Sequence, residues 1–123
     1  MLAVGEVVWV PTEEAIDVVT ALSGSGPAYF FLLAELMAAA ATELGLEPQA
    51  ARRLAVATLH GAGLLANASD GDLARLRSEV TSKGGTTEAA VRTLDAADLK
   101  GTIARALEAA TRRSRELAEQ FGG

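Results

Sequence analysis

An all-α fold is what this sequence predicts, a helical bundle of about five to six helices preceded by one short strand. Three observations predict it. Apolar residues recur at helical spacing through most of the chain, and alanine, the strongest helix former, supplies 26 of the 123 residues. Only Val7–Val10 has the β-branched and aromatic character of a strand. A chain of this length makes one domain and buries roughly two-thirds of its unfolded surface, so it gains from covering a second face in an oligomer.

The run Val7, Val8, Trp9, Val10 ends at Pro11 and has no second strand to follow it. A lone strand leaves its backbone groups unpaired, so it is expected to pair with another chain or to belong to a sheet outside this sequence. Thr12 can cap the next helix, with Glu13 and Glu14 at the positive end of its dipole and Ile16, Val19 and Leu22 as an apolar stripe. Ser23-Gly24-Ser25-Gly26 reads as a break, and Pro27 suits the first turn of a long helix. From Pro27 to Ala41, fourteen of fifteen residues are apolar when Pro is counted, and only Glu35 is charged.

A helix apolar all round is buried all round. So small a chain cannot provide that cover from within, which predicts an obligate dimer with this helix at its centre and Ala38 to Ala41 allowing close approach. Glu35 then either pairs with an Arg across the interface or belongs to a site. Gly45 and Pro48 turn the chain into a third helix, about Pro48 to Ala68, which carries His60 as a surface or interface residue. Ser69, with Asp72 three residues on, is expected to open a shorter helix through Leu73, Leu76 and Val80. The polar loop Thr81–Thr87 feeds a helix containing Ala90, Val91 and Leu94, and a last helix runs from near Leu99 to Phe121.

Charge and composition narrow the function classes. The net charge of −5 is uneven: residues 1 to 51 carry seven acids and no Lys or Arg, and the remainder has eleven bases against nine acids. Nucleic acid is not the expected partner. With no Cys and one His, disulfides and the usual Cys/His zinc site drop out, no metal is expected, and an intracellular compartment fits. Gly5 and Glu6 interrupt any signal-like run, and Pro27–Ala41 is shorter than a membrane span, so no membrane association is expected.

Two loops rich in Gly and hydroxyl residues run into helices, Ser23–Gly26 and Thr81–Thr87. Such junctions bind anions through unpaired N–H groups and the positive dipole end, or else are simple caps. The second loop is the stronger candidate, with Gly84 and Gly85 for close approach and Ser82, Thr86 and Thr87 as donors. The first completes no Gly-x-Gly-x-x-Gly fingerprint, because position 29 is Tyr, and no phosphate loop is present.

The segments Ala21-Leu22-Ser23-Gly24-Ser25-Gly26-Pro27-Ala28-Tyr29 and Val80-Thr81-Ser82-Lys83-Gly84-Gly85-Thr86-Thr87, with Ala90, Val91, Leu94 and Asp95 in register, carry a resemblance. The chain resembles the C-terminal, dimerisation and substrate-binding domain of pyrroline-5-carboxylate reductase, from Val4 to about Leu117. Lys83 stands where many members have Pro.

The resemblance implies a cytoplasmic enzyme of proline biosynthesis that reduces 1-pyrroline-5-carboxylate to L-proline with NADPH or NADH. It also implies an interlocking helical dimer, possibly assembled into a ring of dimers. On this reading residues 1–11 are the last strand of an N-terminal Rossmann cofactor domain, and 12–123 are the helical domain. With the cofactor domain absent, the chain alone is expected to bind no cofactor and to be inactive.

Ser82, Gly84, Gly85, Thr86 and Thr87 are implied to bind the substrate carboxylate. Thr87 is implied as the catalytic residue, its hydroxyl at the ring nitrogen. Ser23, Gly24, Ser25, Gly26, Glu13 and Glu79 are implied to lie near the pocket. The competing reading is a non-catalytic helical oligomerisation module in which both loops are only caps.

Overall fold

A computed structural model describes residues 12–122. The expected strand at Val7–Val10, and the assignment of 1–11 to the end of a cofactor domain, lie outside the described residues. Among those residues every regular element is helical. They are α1 (Glu13–Val19), a π-helical turn (Thr20–Gly24), α2 (Gly26–Glu43), α3 (Pro48–Ala68), α4 (Leu73–Glu79), α5 (Thr86–Ala96) and α6 (Leu99–Gln120). They divide into two compact units, one of residues through Tyr29 and from Asp98 onward, the other of Phe30–Ala97.

In the first unit α1, the π turn and α6 pack on one another. Thr12 caps α1 as expected, its Oγ1 accepting the Ala15 N–H at 3.2 Å, a bond of the kind that stabilises a helix by about 1 kcal/mol. The half-buried Asp17 carboxylate accepts the Ser114 hydroxyl at 2.7 Å and lies 3.7 Å from the Arg115 guanidinium. Ala21 is fully enclosed.

The expected break at Ser23–Gly26 is not a break. The chain stays helical by widening one turn: the Ser25 N–H bonds five residues back to the Thr20 carbonyl at 2.9 Å, and the Tyr29 hydroxyl donates to the Ala21 carbonyl at 2.6 Å. Glycine and serine weaken a helix but do not end it when the carbonyls of the turn find donors.

This continuity has a consequence for length. The helical stretch Glu13–Glu43 runs 31 residues and is long and apolar enough to cross a membrane by length and composition. The expectation drawn from Pro27–Ala41 alone underestimated the helix because it placed an end where the π turn lies.

In the second unit α2 ends at Glu43, and Gly45 just beyond it, at a φ of +112°, lets the Leu46 N–H reach back to the Ala41 carbonyl at 3.0 Å. Helix α3 begins at Pro48, with the Glu47 carboxylate accepting the Gln49 and Ala50 N–H groups at 3.1 and 2.9 Å. Those two donors hold the Glu47 carboxyl below the usual carboxylate range. Ser69 was expected to open α4 but closes α3. Its hydroxyl donates to the Ala66 carbonyl at 2.8 Å and accepts the Gly71 N–H at 3.1 Å. Gly71, at φ +85°, then redirects the chain, and Asp72 caps α4 by accepting the Arg75 N–H at 3.1 Å.

Apolar cover is scarce. Among the described residues Ala21 and Ala51 are the buried hydrophobic side chains, and no large side chain is fully enclosed. On α2, Phe30 is 57% exposed and Phe31 66%, with Leu32, Leu33, Leu36 and Met37 also exposed. Isolated exposed apolar residues are ordinary in a monomer, but a whole helix of them marks an interaction surface.

Candidate functional site

The second loop is built from backbone geometry outward. Gly84 sits at φ +75°, a conformation that disfavours any side chain, and its N–H donates to Glu88 Oε1 at 3.2 Å. The Gly85 N–H donates to the Ser82 carbonyl at 3.0 Å. A Cβ on Gly85 would lie 2.5 Å from Ser82 Oγ and 3.2 Å from the Ser82 carbonyl oxygen, so the serine folds over a position that only glycine fits without displacement.

Both glycine N–H groups are therefore turned inward. The open donors begin at Thr86. No acceptor among the described residues takes the N–H groups of Thr86, Thr87 or Glu88.

This helix start differs from its neighbours. Thr12, Glu47, Asp72 and Asp98 each cap their helices, α1, α3, α4 and α6, with a side-chain oxygen. Helix α5 has Gly85 at the capping position and no side-chain cap. Its first-turn N–H groups and positive dipole end have no acceptor among the described residues, an arrangement that favours negative charge.

The threonine hydroxyls repeat the contrast. Thr20, Thr42, Thr58, Thr81, Thr93, Thr102 and Thr111 each donate to the carbonyl four residues back, and Thr12 accepts as a cap. Thr86 and Thr87 stand in the first turn, where no helical carbonyl lies four residues behind, and their hydroxyls take no bond among the described residues. Thr87 is half-buried and Thr86 exposed.

The other expected site residues are placed as follows. Ser82 and Gly84–Thr87 come together at the start of α5, and Glu79 belongs to the same unit, paired with Arg75 at 3.4 Å at the end of α4. Glu13 and Ser23–Gly26 belong to the other unit. Glu13 is exposed in the first turn of α1, and Gly26 is buried where α2 leaves the π turn. Sequence reasoning passed over Glu88 and its partner Arg92, whose guanidinium meets Glu88 Oε1 at 3.2 Å. The available signal was a Glu at the third position of a helix, the capping-box place, with Gly85 where that box has Ser or Thr.

A second feature lies within the Phe30–Ala97 unit. Helices α2 and α3 border an apolar cleft of about 550 Å³, lined by residues that include Phe31, Ala34, Ala38, Val56 and Leu59. Glu35 and Arg52 are the charged groups of its wall, and neither makes an ion pair among the described residues. His60 is exposed on α3.

Among the described residues, then, every regular element is helical, one helix start is shaped by glycines and left without a side-chain cap, and one apolar helix lies exposed. The family described as pyrroline-5-carboxylate reductase dimerisation matches residues 13–117, and the chain belongs to it. It is 49% identical over 120 residues to a pyrroline-5-carboxylate reductase of Pseudomonas aeruginosa, covering 98% of this chain and 44% of that protein. The corresponding protein of Vibrio alginolyticus is 43% identical over 122 residues, with 98% and 45% covered.

Among solved structures, a pyrroline-5-carboxylate reductase from Coxiella burnetii matches with a TM-score of 0.87 at 44% identity, over 93% of this chain and 42% of that one. A Plasmodium falciparum pyrroline carboxylate reductase with NADP bound matches with a TM-score of 0.79 at 31% identity, over 86% and 40%. The chain thus spans less than half the length of the relatives it matches.

Proposed function

We propose that this chain is the substrate-binding and dimerisation portion of an NAD(P)H-dependent enzyme that reduces 1-pyrroline-5-carboxylate to L-proline in the cytoplasm. The observation that carries the reading is the start of α5. It has three N–H donors without acceptors, two unengaged threonine hydroxyls and no side-chain cap, where α1, α3, α4 and α6 each carry one. A ligand carboxylate matches those donors, bound by the Thr86 and Thr87 N–H groups with the Ser82 hydroxyl beside them, as charge-assisted hydrogen bonds. Gly84 and Gly85 keep the approach clear.

With the carboxylate anchored there, the Thr87 hydroxyl is in reach of the adjacent ring nitrogen. It holds the imine in one orientation and supplies a proton to the nitrogen, directly or by relay, as the neighbouring carbon is reduced. The nicotinamide cofactor would supply the hydride. The described residues do not fit that cofactor: Gly24 and Gly26 lie within helical backbone, and no strand-to-helix glycine turn is present among them to cradle a pyrophosphate. On this reading the chain alone binds no nicotinamide cofactor and has no reductase activity.

The apolar helix α2 supports self-association. In the proposed dimer it lies at the centre, covered by a second copy whose helices interlock with it, with Glu35 pairing to an Arg across the interface. A membrane would compete for the same helix, but Glu35 at its middle favours a protein partner that can pair the charge.

Calorimetric titration with L-proline tests the site. The wild-type chain is expected to bind at millimolar concentration or better, and Thr87→Ala to weaken binding by about 3- to 10-fold, the worth of one hydrogen bond, with the oligomeric state unchanged. If the chain binds no proline but remains dimeric, it is an oligomerisation module and the loop only a helix start.

A further inference from the structure

We propose that Glu88 is a positioning residue for the carboxylate site, and that Arg92 neutralises it there; this rests on the proposed substrate reading of the loop. The Glu88 side chain returns past the capping position to take the Gly84 N–H at 3.2 Å, and the same oxygen takes Arg92 at 3.2 Å. A carboxylate at the third helical position ordinarily bonds the capping residue's own N–H. Here that N–H, on Gly85, is already held by the Ser82 carbonyl at 3.0 Å.

The two bonds thus sort the loop's donors. Gly84 and Gly85 are committed inward, to Glu88 and Ser82, and the N–H groups of Thr86, Thr87 and Glu88 are left pointing to a ligand. Gly84 is the residue that most needs fastening, because its left-handed backbone sits in a region that glycine enters and leaves freely.

The arrangement also sets a charge problem and answers it. A glutamate at the mouth of an anion site repels the anion it helps to seat. Arg92, one turn further on and paired with the same Glu88 oxygen, offsets that charge while leaving the acceptor in place. Glu88 thereby contributes its geometry to the loop, and its charge is borne by Arg92.

The test combines amide hydrogen exchange at Gly84 with L-proline titration of the whole chain, with circular dichroism to establish that each variant is folded. Glu88→Ala is expected to speed exchange of the Gly84 amide about 10-fold and to weaken proline binding about 5-fold. Glu88→Gln, which keeps an acceptor without the charge, is expected to restore both. Arg92→Ala is expected to weaken proline binding two- to threefold, and the double variant Arg92→Ala/Glu88→Gln to recover it, a pattern that loss of helix stability alone does not produce.

Unchanged Gly84 exchange in Glu88→Ala overturns the proposal even if proline binds normally. So does faster exchange with unaltered affinity, which would make Glu88 a fastening of the loop and nothing more. A wild-type chain that gives no heat with proline refutes the substrate reading itself, and the inference falls with it. If Glu88→Ala does not fold, the Glu88→Gln and Arg92→Ala pair decides by whether affinity follows charge.

Discussion

The two units of this chain have similar helical content and opposite solutions to burial. In the unit of α1, the π turn and α6, the elements pack on one another, Ala21 is enclosed, and Asp17 is fastened to α6 through Ser114 and Arg115. In the Phe30–Ala97 unit the helices are separated by a cleft, and Phe30, Phe31, Leu33 and Leu36 remain exposed. The hydrophobic effect does not distinguish the two, since α2 is the more apolar segment. What differs is where the covering surface comes from: the first unit contains its own, and the second leaves its apolar helix uncovered within a single chain, the face that we propose a second copy covers.

The sharpest way to break that contrast is to place a charge on the uncovered helix. Phe31→Asp, at a position 66% exposed in the single chain and in the wall of the cleft, is expected to abolish the dimer. A two-fold interface loses the residue twice, about 3–6 kcal/mol of apolar burial per dimer before the buried charge is counted. Sedimentation velocity should register a dissociation constant raised by at least a hundredfold.

A smaller effect is expected in the self-packed unit. Asp17→Ala removes a half-buried acceptor from Ser114 and Arg115, worth about 1–2 kcal/mol, and should lower the melting temperature by about 5 °C without changing the oligomeric state. If Asp17→Ala dissociates the protein, the two units are not independent in the way argued.

The smallest effect concerns pH. The carboxyl of Glu47 is held below its ordinary range by the N–H groups of Gln49 and Ala50, so its stabilisation of α3 is present above the unfolded value and is lost as pH falls through the lowered folded value. Being fully exposed, it should leave only a slight downturn in helicity under acid, which Glu47→Gln flattens when followed by circular dichroism.

How much of this was legible in the sequence depended on whether local chemistry or packing decided the element. The bounds of α3 were readable because Pro48 and the polar residues after Ala68 are local signals. The π turn was not: Ser23-Gly24-Ser25-Gly26 has the composition of a break, whereas the Ser25 N–H bond to Thr20, the Tyr29 hydroxyl on the Ala21 carbonyl and the packing of α6 accompany a continuous helical path. Ser69 and Asp72 are both good capping residues, and the choice between them was made by the backbone reversal at Gly71.

The candidate site was legible as a place and not as an arrangement. Ser82, the paired glycines and the two threonines pointed to a candidate anion site, and the structure brings them together at the start of α5. That Gly84 and Gly85 turn their N–H groups inward, leaving Thr86 and Thr87 as donors, follows from bonds to Glu88 and Ser82 that spacing alone does not reveal. The expectation of a partner around α2 came from composition alone, because fourteen apolar residues in fifteen leave no solvent face for any helix, and the single chain does leave that helix uncovered.

If another copy of the same chain completes the second unit, as we propose, sedimentation equilibrium of the purified protein will show a single species of twice 12.6 kDa, persisting to low micromolar concentration. A folded, helical species of 12.6 kDa that stays monomeric and soluble at high concentration would contradict it.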